Sequence, residues 1–252
     1  MLALSVLPVE AQLPFEPAQP GEWFETDGGR VRLVLGSADS EGRVDGAIEI
    51  DLDEGWKTYW IAPGPSGIPP QFDASRSTNL VLESIEYPAP TEFNDVYGMS
   101  VGYKTDVSFP VSFTMPEPDG AAEAVVEGFL GICAEICIPV QVSFAGPVTT
   151  GQSTPFELNE QLRLSRLALP VKGSPDGLSA ALEDERIVLS GPALANEASE
   201  IFVASGTGAA FGDLIRAEGR IEVPVLRGDA TGDVVVVVKD GARATQFVVS
   251  VS

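Results

Sequence analysis

The cysteines of the chain, Cys133 and Cys137, stand four positions apart in the stretch GFLGICAEICIPVQV (128–142). Two thiols at that spacing can do three things. They can close a structural disulfide, clip a soft ion such as copper(I), or cycle between dithiol and disulfide. The rest of the composition removes most other chemistry. The chain contains no histidine, so Ser-His-Asp and Cys-His nucleophiles are excluded. Two cysteines cannot by themselves complete a four-ligand zinc site. No Asp/Asn/Gly loop has calcium-binding spacing. The segment GTGAAFGD (206–213) lacks the Lys-Ser/Thr ending of a phosphate-binding loop and reads as a turn. This reading therefore assigns no cofactor and no metal, with copper(I) at the cysteine pair kept as an alternative.

A thiol works as its thiolate, which a nearby cation or hydrogen-bond donor stabilises. Lys57, Lys104, Tyr59, Tyr97 and Tyr103 are the candidates, while Glu135, between the cysteines, acts in the opposite sense. Of the aromatics in WKTYWI (56–61), Trp56 reads as core and Tyr59 is placed near the sulfurs.

The elements that must position this pair are strands. VRLVLG (31–36), VDGAIEIDL (44–52), WKTYWI (56–61), LVLESIEY (80–87), VSFPVSF (107–113), AVVEGFLGIC (124–133) and CIPVQVSF (137–144) are short β runs separated by Pro/Gly clusters such as APGPSGIPP (62–70). Seven such runs in about 120 residues predict a β-sandwich. The three-residue gap Ala134–Ile136 predicts a hairpin. Alternation puts Ile138, Val140, Val142 and Phe144 on the core face and Cys137 on the other. On the preceding strand Cys133 shares a face with the charged Glu127. Both cysteines are thus expected opposite each other at the hairpin neck, pointing outward within reach of water. Cross-strand Cβ atoms lie ~4.5–5.5 Å apart, near disulfide range. A five-residue ring stabilises by only about 2 kcal/mol in the chain-entropy view. Exposed disulfides are the more reducible ones. The pattern thus favours redox work over a staple.

The composition changes at TTGQSTPFELNEQLRLSRLALP (149–170). Thr154, Pro155 and Glu157 have the form of an N-cap, a first-turn proline and a capping-box glutamate, predicting a helix over 155–168. Phe156, Leu158, Leu162 and Leu167 should share one face. Beyond it, GLSAAL (177–182), RIVLSG (186–191), EIFVASG (200–206), GRIEVPVL (219–226), DVVVVVKDG (233–241) and ATQFVVSV (244–251) read as strands. Val234–Val238 suits a strand buried on both faces, and Asp240-Gly241 marks a hairpin turn. This half offers no chemistry of its own. The expected architecture is all-β: a β-sandwich, a short linking helix and a second, smaller β-sandwich.

With 44% hydrophobic residues the chain can bury a sizeable core. A net charge of −22 repels nucleic acid and anionic lipid, so neither is an expected partner. No run reaches the ~20 apolar residues of a membrane span. The opening MLALSVLPVEAQ reads as the tail of a signal peptide with a trimmed start, and VEA (9–11) as its cleavage site, which predicts export.

Four stretches in order, GWKTYWIAPGPSGIPP (55–70), YPAPTEF (87–93), YGMSVGY (97–103) and GICAEICIPV (131–140), together resemble the N-terminal periplasmic domain of DsbD/ScsB-type thiol:disulfide interchange proteins over about residues 20–150. The resemblance implies an immunoglobulin-like redox domain in the periplasm. A membrane-embedded electron-donor protein would reduce it, and it would in turn reduce periplasmic thiol/disulfide proteins. It implies that Cys137 forms the mixed disulfide and Cys133 resolves it. It also implies a cap loop at Asn94, Asp95, Val96 and Tyr97. DsbD spaces its cysteines by five residues, so the ScsB-like branch is nearer. The DsbD cap aromatic aligns with Val96, which leaves shielding to Tyr97 or Phe93. Four segments follow: a signal-peptide remnant and loop (1–20), the redox domain (21–150), a helical linker (151–170) and a second all-β domain (171–252). The readings kept beside thiol:disulfide exchange are a non-enzymatic binding or assembly module with a structural disulfide, and copper(I) handling.

Overall fold

Period-two burial builds the first half of the molecule. The computed structural model describes residues 16–95, 98–217 and 219–251. In chain order its first strands are β1 (Phe24–Thr26), β2 (Gly29–Leu35), β3 (Arg43–Leu52), β4 (Lys57–Tyr59), β5 (Gln71–Asp73), β6 (Val81–Ile85), β7 (Thr91–Asp95), β8 (Gly98–Tyr103), β9 (Val107–Thr114), β10 (Glu123–Cys133) and β11 (Cys137–Pro147). They form two sheets, ordered β1-β2-β3-β9-β6 and β11-β10-β4-β8-β7, with β5 also bonded to β10. Val31, Leu33, Ile48, Ile50, Phe109, Val111 and Phe113 of the first sheet pack in one core with Val126, Leu130, Ile132, Val140, Val142 and Phe144 of the second. Burying each such side chain stabilises by about 1.5–3 kcal/mol. The expected sandwich is present.

The hydrophobic-run expectation missed short strands. β1 lies outside the predicted β runs, and β7 and β8 pair as a hairpin around the expected cap segment. β7 and β8 pair from Thr91↔Gly102 to Asp95↔Gly98, so Asn94 and Asp95 are strand residues; Val96 and Tyr97 lie outside the described residues. Most of the expected signal-peptide remnant, residues 1–15, is likewise outside them. Ala18 is bridged to the β11 edge by Ala18 N–H to Ser143 O and Ala145 N–H to Ala18 O, both 2.9 Å.

Helix α1 (Phe156–Leu167) matches the predicted span, but its start is built differently. Pro155 is the N-cap and no side chain caps the helix. The Thr154 hydroxyl instead accepts a 2.9 Å bond from the Ser37 N–H, tying the helix start to the end of β2. Leu162 is buried with Leu158 against Val34 and Ala47, while Phe156 and Leu167 are exposed, so the expected four-residue apolar face is only half used. Arg166 holds the other end of α1 through Asp45 (2.6 Å) and Glu86 (3.4 Å). The helix is packed on the first sheet.

The remaining strands are β12 (Val171–Lys172), β13 (Ser179–Glu183), β14 (Arg186–Ser190), β15 (Glu200–Ser205), β16 (Ala210–Phe211), β17 (Ile215–Ala217), β18 (Arg220–Arg227), β19 (Gly232–Asp240) and β20 (Arg243–Val251). They make one sheet, β15-β19-β20-β13-β14-β18-β16, with β12 added to β20 and β17 to β18. The sheet folds over until β15 touches β16. It encloses a core of Leu178, Ile187, Leu189, Ile201, Val203, Ile221, Val223, Val234, Val236, Val238 and Phe247. Asp240 pairs with Arg243 across a two-residue turn at Gly241 (φ +60°), a left-handed conformation that favours glycine. The valine run is buried on both faces, as expected. The reason is external: Val235 and Val237 pack into the core of the first two sheets together with Phe202 and Ala204.

Candidate redox site at the hairpin neck

Strands β10 and β11 pair without a register break from Glu123↔Pro147 to Cys133↔Cys137. The ladder therefore delivers the two cysteines to directly opposed positions, with Cα atoms 4.1 Å apart and the sulfurs bonded. Ala134, Glu135 and Ile136 close the loop, with the Ala134 N–H donating to Ile136 O at 3.2 Å. Ile136 is strongly exposed, an apolar side chain beside Cys137.

The faces fall as alternation predicts. Ile132 enters the large core, whereas Cys133 belongs to a separate small cluster with Tyr59, Phe93, Ile68 and Cys137. The expectation that outward means wet fails for Cys133, which is 0% exposed; Cys137 is only partly buried. A second layer covers the outer face. It is assembled from Tyr59 on β4, Ile68 from the Pro/Gly-rich 62–70 segment, and Phe93 on β7.

Each cover residue is held for a local reason. β4 is hydrogen-bonded to β10 in the register Ile132↔Thr58 and Cys133↔Lys57, and the Thr58 hydroxyl adds a 2.9 Å bond to Gly131 O. Tyr59 thus lies beside the hairpin neck, and its hydroxyl is 3.0 Å from Cys137 Sγ. A disulfide sulfur carries no proton, so the phenol donates. The ring crosses Gly131 closely. A Cβ there would come within 2.9 Å of Tyr59 Cδ2 and 2.8 Å of Ile68 Cβ, so only glycine allows this approach. Gly67 meets the other side of the ring, where a Cβ would stand 2.9 Å from Tyr59 Cδ1. The Phe93 ring lies 6.4 Å from that of Tyr59, and two ammonium groups approach its face, Lys57 at 5.0 Å and Lys104 at 5.1 Å. These cations bring positive charge to the cluster's wall, a setting that favours thiolate.

The other candidates separate clearly. Tyr103 is not at the sulfurs: its hydroxyl donates to Pro88 O (2.8 Å), its ring packs on Phe109, and burial pushes its phenol well above the usual value. Glu135 is exposed in the loop, and Asn94 is exposed on β7. Phe93, one of the two expected alternatives, packs in the cluster that holds both cysteines; Tyr97 lies outside the described residues. Sequence reading missed Ile68, Thr58 and Gly131. The signal for Ile68 was a lone branched apolar residue inside a rigid Gly-Ile-Pro-Pro segment.

A buried sulfur paired with a partly exposed one, under an aromatic cover on one hairpin, defines a candidate thiol:disulfide site on a β-sandwich. Residues 33–149 match the family model of the N-terminal region of the thiol:disulfide interchange protein DsbD. The whole chain also resembles the N-terminal periplasmic domain of ScsB from Proteus mirabilis, with TM-score 0.67, 21% identity, and coverage of 94% of this chain and 99% of that one. The first sandwich thus matches the DsbD N-terminal family model, and the chain shares its fold with the ScsB domain. Weaker likenesses, to the periplasmic chaperone SfaE (TM-score 0.21, 11% identity, 87% of this chain and 100% of that one) and to the mouse nectin-like molecule 4 ectodomain (TM-score 0.22, 10% identity, 88% and 64%), carry no argument. No curated protein matches in sequence. Among the described residues no helix is long and apolar enough to cross a membrane.

Proposed function

We propose that the chain is a periplasmic thiol:disulfide oxidoreductase in which Cys137 exchanges with protein partners and Cys133 resolves. One observation carries this reading: of two bonded sulfurs, Cys133 is sealed and Cys137 is reachable with a phenolic donor 3.0 Å away. In the reduced protein the Cys137 thiolate, steadied by the Tyr59 hydroxyl, attacks one sulfur of a partner disulfide. The Cys137–partner bond forms, and the partner's other sulfur leaves as thiolate and takes up a proton. The Cys133 thiolate then attacks Cys137 Sγ, and the partner's second thiolate departs and is protonated. Two electrons and two protons have moved: the partner is a dithiol and the Cys133–Cys137 disulfide is restored. A separate membrane-embedded dithiol donor reduces it again by the reverse steps. Residues 21–150 serve as the redox domain, 151–170 as the linker and 171–252 as a second domain. Asn94, Asp95, Val96 and Tyr97 serve as the cap segment of the site.

Trapping tests this. A Cys133→Ala variant mixed with an oxidised dithiol protein accumulates a mixed disulfide on Cys137, found by non-reducing electrophoresis and peptide mass. The Cys137→Ala variant forms none, because Cys133 is buried. Absence of an adduct on Cys137, or equal adducts on both, refutes the assignment.

A further inference from the structure

The third sheet touches residues that neighbour the cover of the disulfide along the chain. On β15, Ile201 and Val203 point into that sheet's own core, whereas Phe202 and Ala204 enter the core of the first two sheets. The edge of the Phe202 ring meets the Trp60 indole at 6.1 Å and 69°. Trp60 is 1% exposed and directly follows Tyr59. Its indole N–H has no hydrogen-bond acceptor among the described residues, so packing alone holds this ring. Successive side chains of an extended segment point to opposite faces. The ring gripped by the third sheet and the ring on the sulfur therefore hang from adjacent Cα atoms. The Trp60 backbone N–H donates to Val101 O at 3.1 Å, fixing the segment to β8.

A second tie reaches the other cover residue. Lys239 on β19 donates to Pro90 O at 3.3 Å while paired with Glu200 on β15, also at 3.3 Å. Pro90 precedes β7, the strand that carries Phe93. The same two strands, β15 and β19, thus contact the supports of both Tyr59 and Phe93.

We propose that residues 171–252 act as a positioning element for the redox pair, with Phe202 as its key residue. By fixing Trp60 it holds the Tyr59 hydroxyl on Cys137 and so sets the reactivity of that thiol. The inference rests on Cys137 being the exchanging sulfur, but its test does not need a protein partner.

The test uses the full chain carrying Cys133→Ala, so that one thiol remains, and measures iodoacetamide alkylation against pH. Lys57, Lys104 and Glu135 are present in every variant and form a common background. Tyr59→Phe is the reference. Losing one hydrogen bond to the thiolate lowers its population about tenfold near neutral pH. The higher intrinsic nucleophilicity recovers part of this, leaving alkylation about threefold slower. Phe202→Ala should move the profile in the same direction by about twofold, and Phe202→Leu by less. Ile201→Val, on the opposite face of β15, lowers the thermal midpoint yet should leave the profile in place. Circular dichroism checks folding, and Phe202→Leu decides if Phe202→Ala does not fold. A Phe202 profile that coincides with the parent overturns the proposal, as does an Ile201→Val shift of equal size or an unmoved Tyr59→Phe profile. If the trapping experiment fails while these shifts appear, the exchange function is refuted and the positioning role stands.

Discussion

Two apolar clusters flank the same stretch of β10. Leu130 and Ile132 face a large core shared by all three sheets, whereas Cys133, one residue on, belongs to a cluster of five side chains. The large core is redundant: each member touches many others, and close packing makes it rigid. The small one is a lid of three covers over two sulfurs, drawn from three separate segments. A cluster that size adds little to stability, so it can be loosened locally without unfolding the sandwich. The contrast separates what keeps the protein folded from what guards its chemistry.

Substitutions can break or sharpen this contrast. The largest effect belongs to the large core. Phe109 is fully buried between Tyr87 (4.8 Å) and Tyr103 (5.6 Å). Phe109→Ala should cost about 3–5 kcal/mol in urea unfolding, while reduction of the remaining folded fraction by dithiothreitol keeps its rate. A large rise in that rate would show that the clusters are not independent. Gly131→Ala acts on the small cluster. The added methyl must push Tyr59 and Ile68 aside, costing about 1–3 kcal/mol. Here the disulfide should reduce faster, because its cover is displaced; an unchanged rate would mean that Tyr59 does not control access.

The smallest effect is a pH dependence confined to the large core. Burial raises the phenols of Tyr87 and Tyr103 above the ordinary value near 10. Below about pH 10 both are protonated, folded or unfolded, and their stabilisation is fully present. Above it the unfolded chain ionises first, so stability falls as pH rises toward the folded values. The loss is about 1 kcal/mol per phenol between pH 10 and 11. Urea midpoints measured from pH 8 to 11 should decline only above 10, and less steeply in Tyr87→Phe.

Much of the site was legible because period two is a local code. The opposed cysteines, their face and the doubly buried valines of β19 all follow from alternation and a three-residue gap. Tyr59 was placed near the sulfurs from the sequence, and it lies there. Alternation says which face a side chain takes, but not whether a second layer covers that face. The layer here comes from residues 59 and 93, brought together by the β10–β4–β8–β7 order, and from residue 68 of the connecting segment, and no single window contains it. The helix cap failed for a related reason. Thr154 had a better partner 117 residues away, in Ser37.

The unbroken ladder from Glu123↔Pro147 to the hairpin neck has a mechanical consequence. Backbone hydrogen bonds, and not the sulfur link, keep Cys133 and Cys137 facing each other. Opening and closing that link therefore asks for little travel of the main chain. The hairpin keeps nearly the same backbone shape with the Cys133–Cys137 bond closed or open.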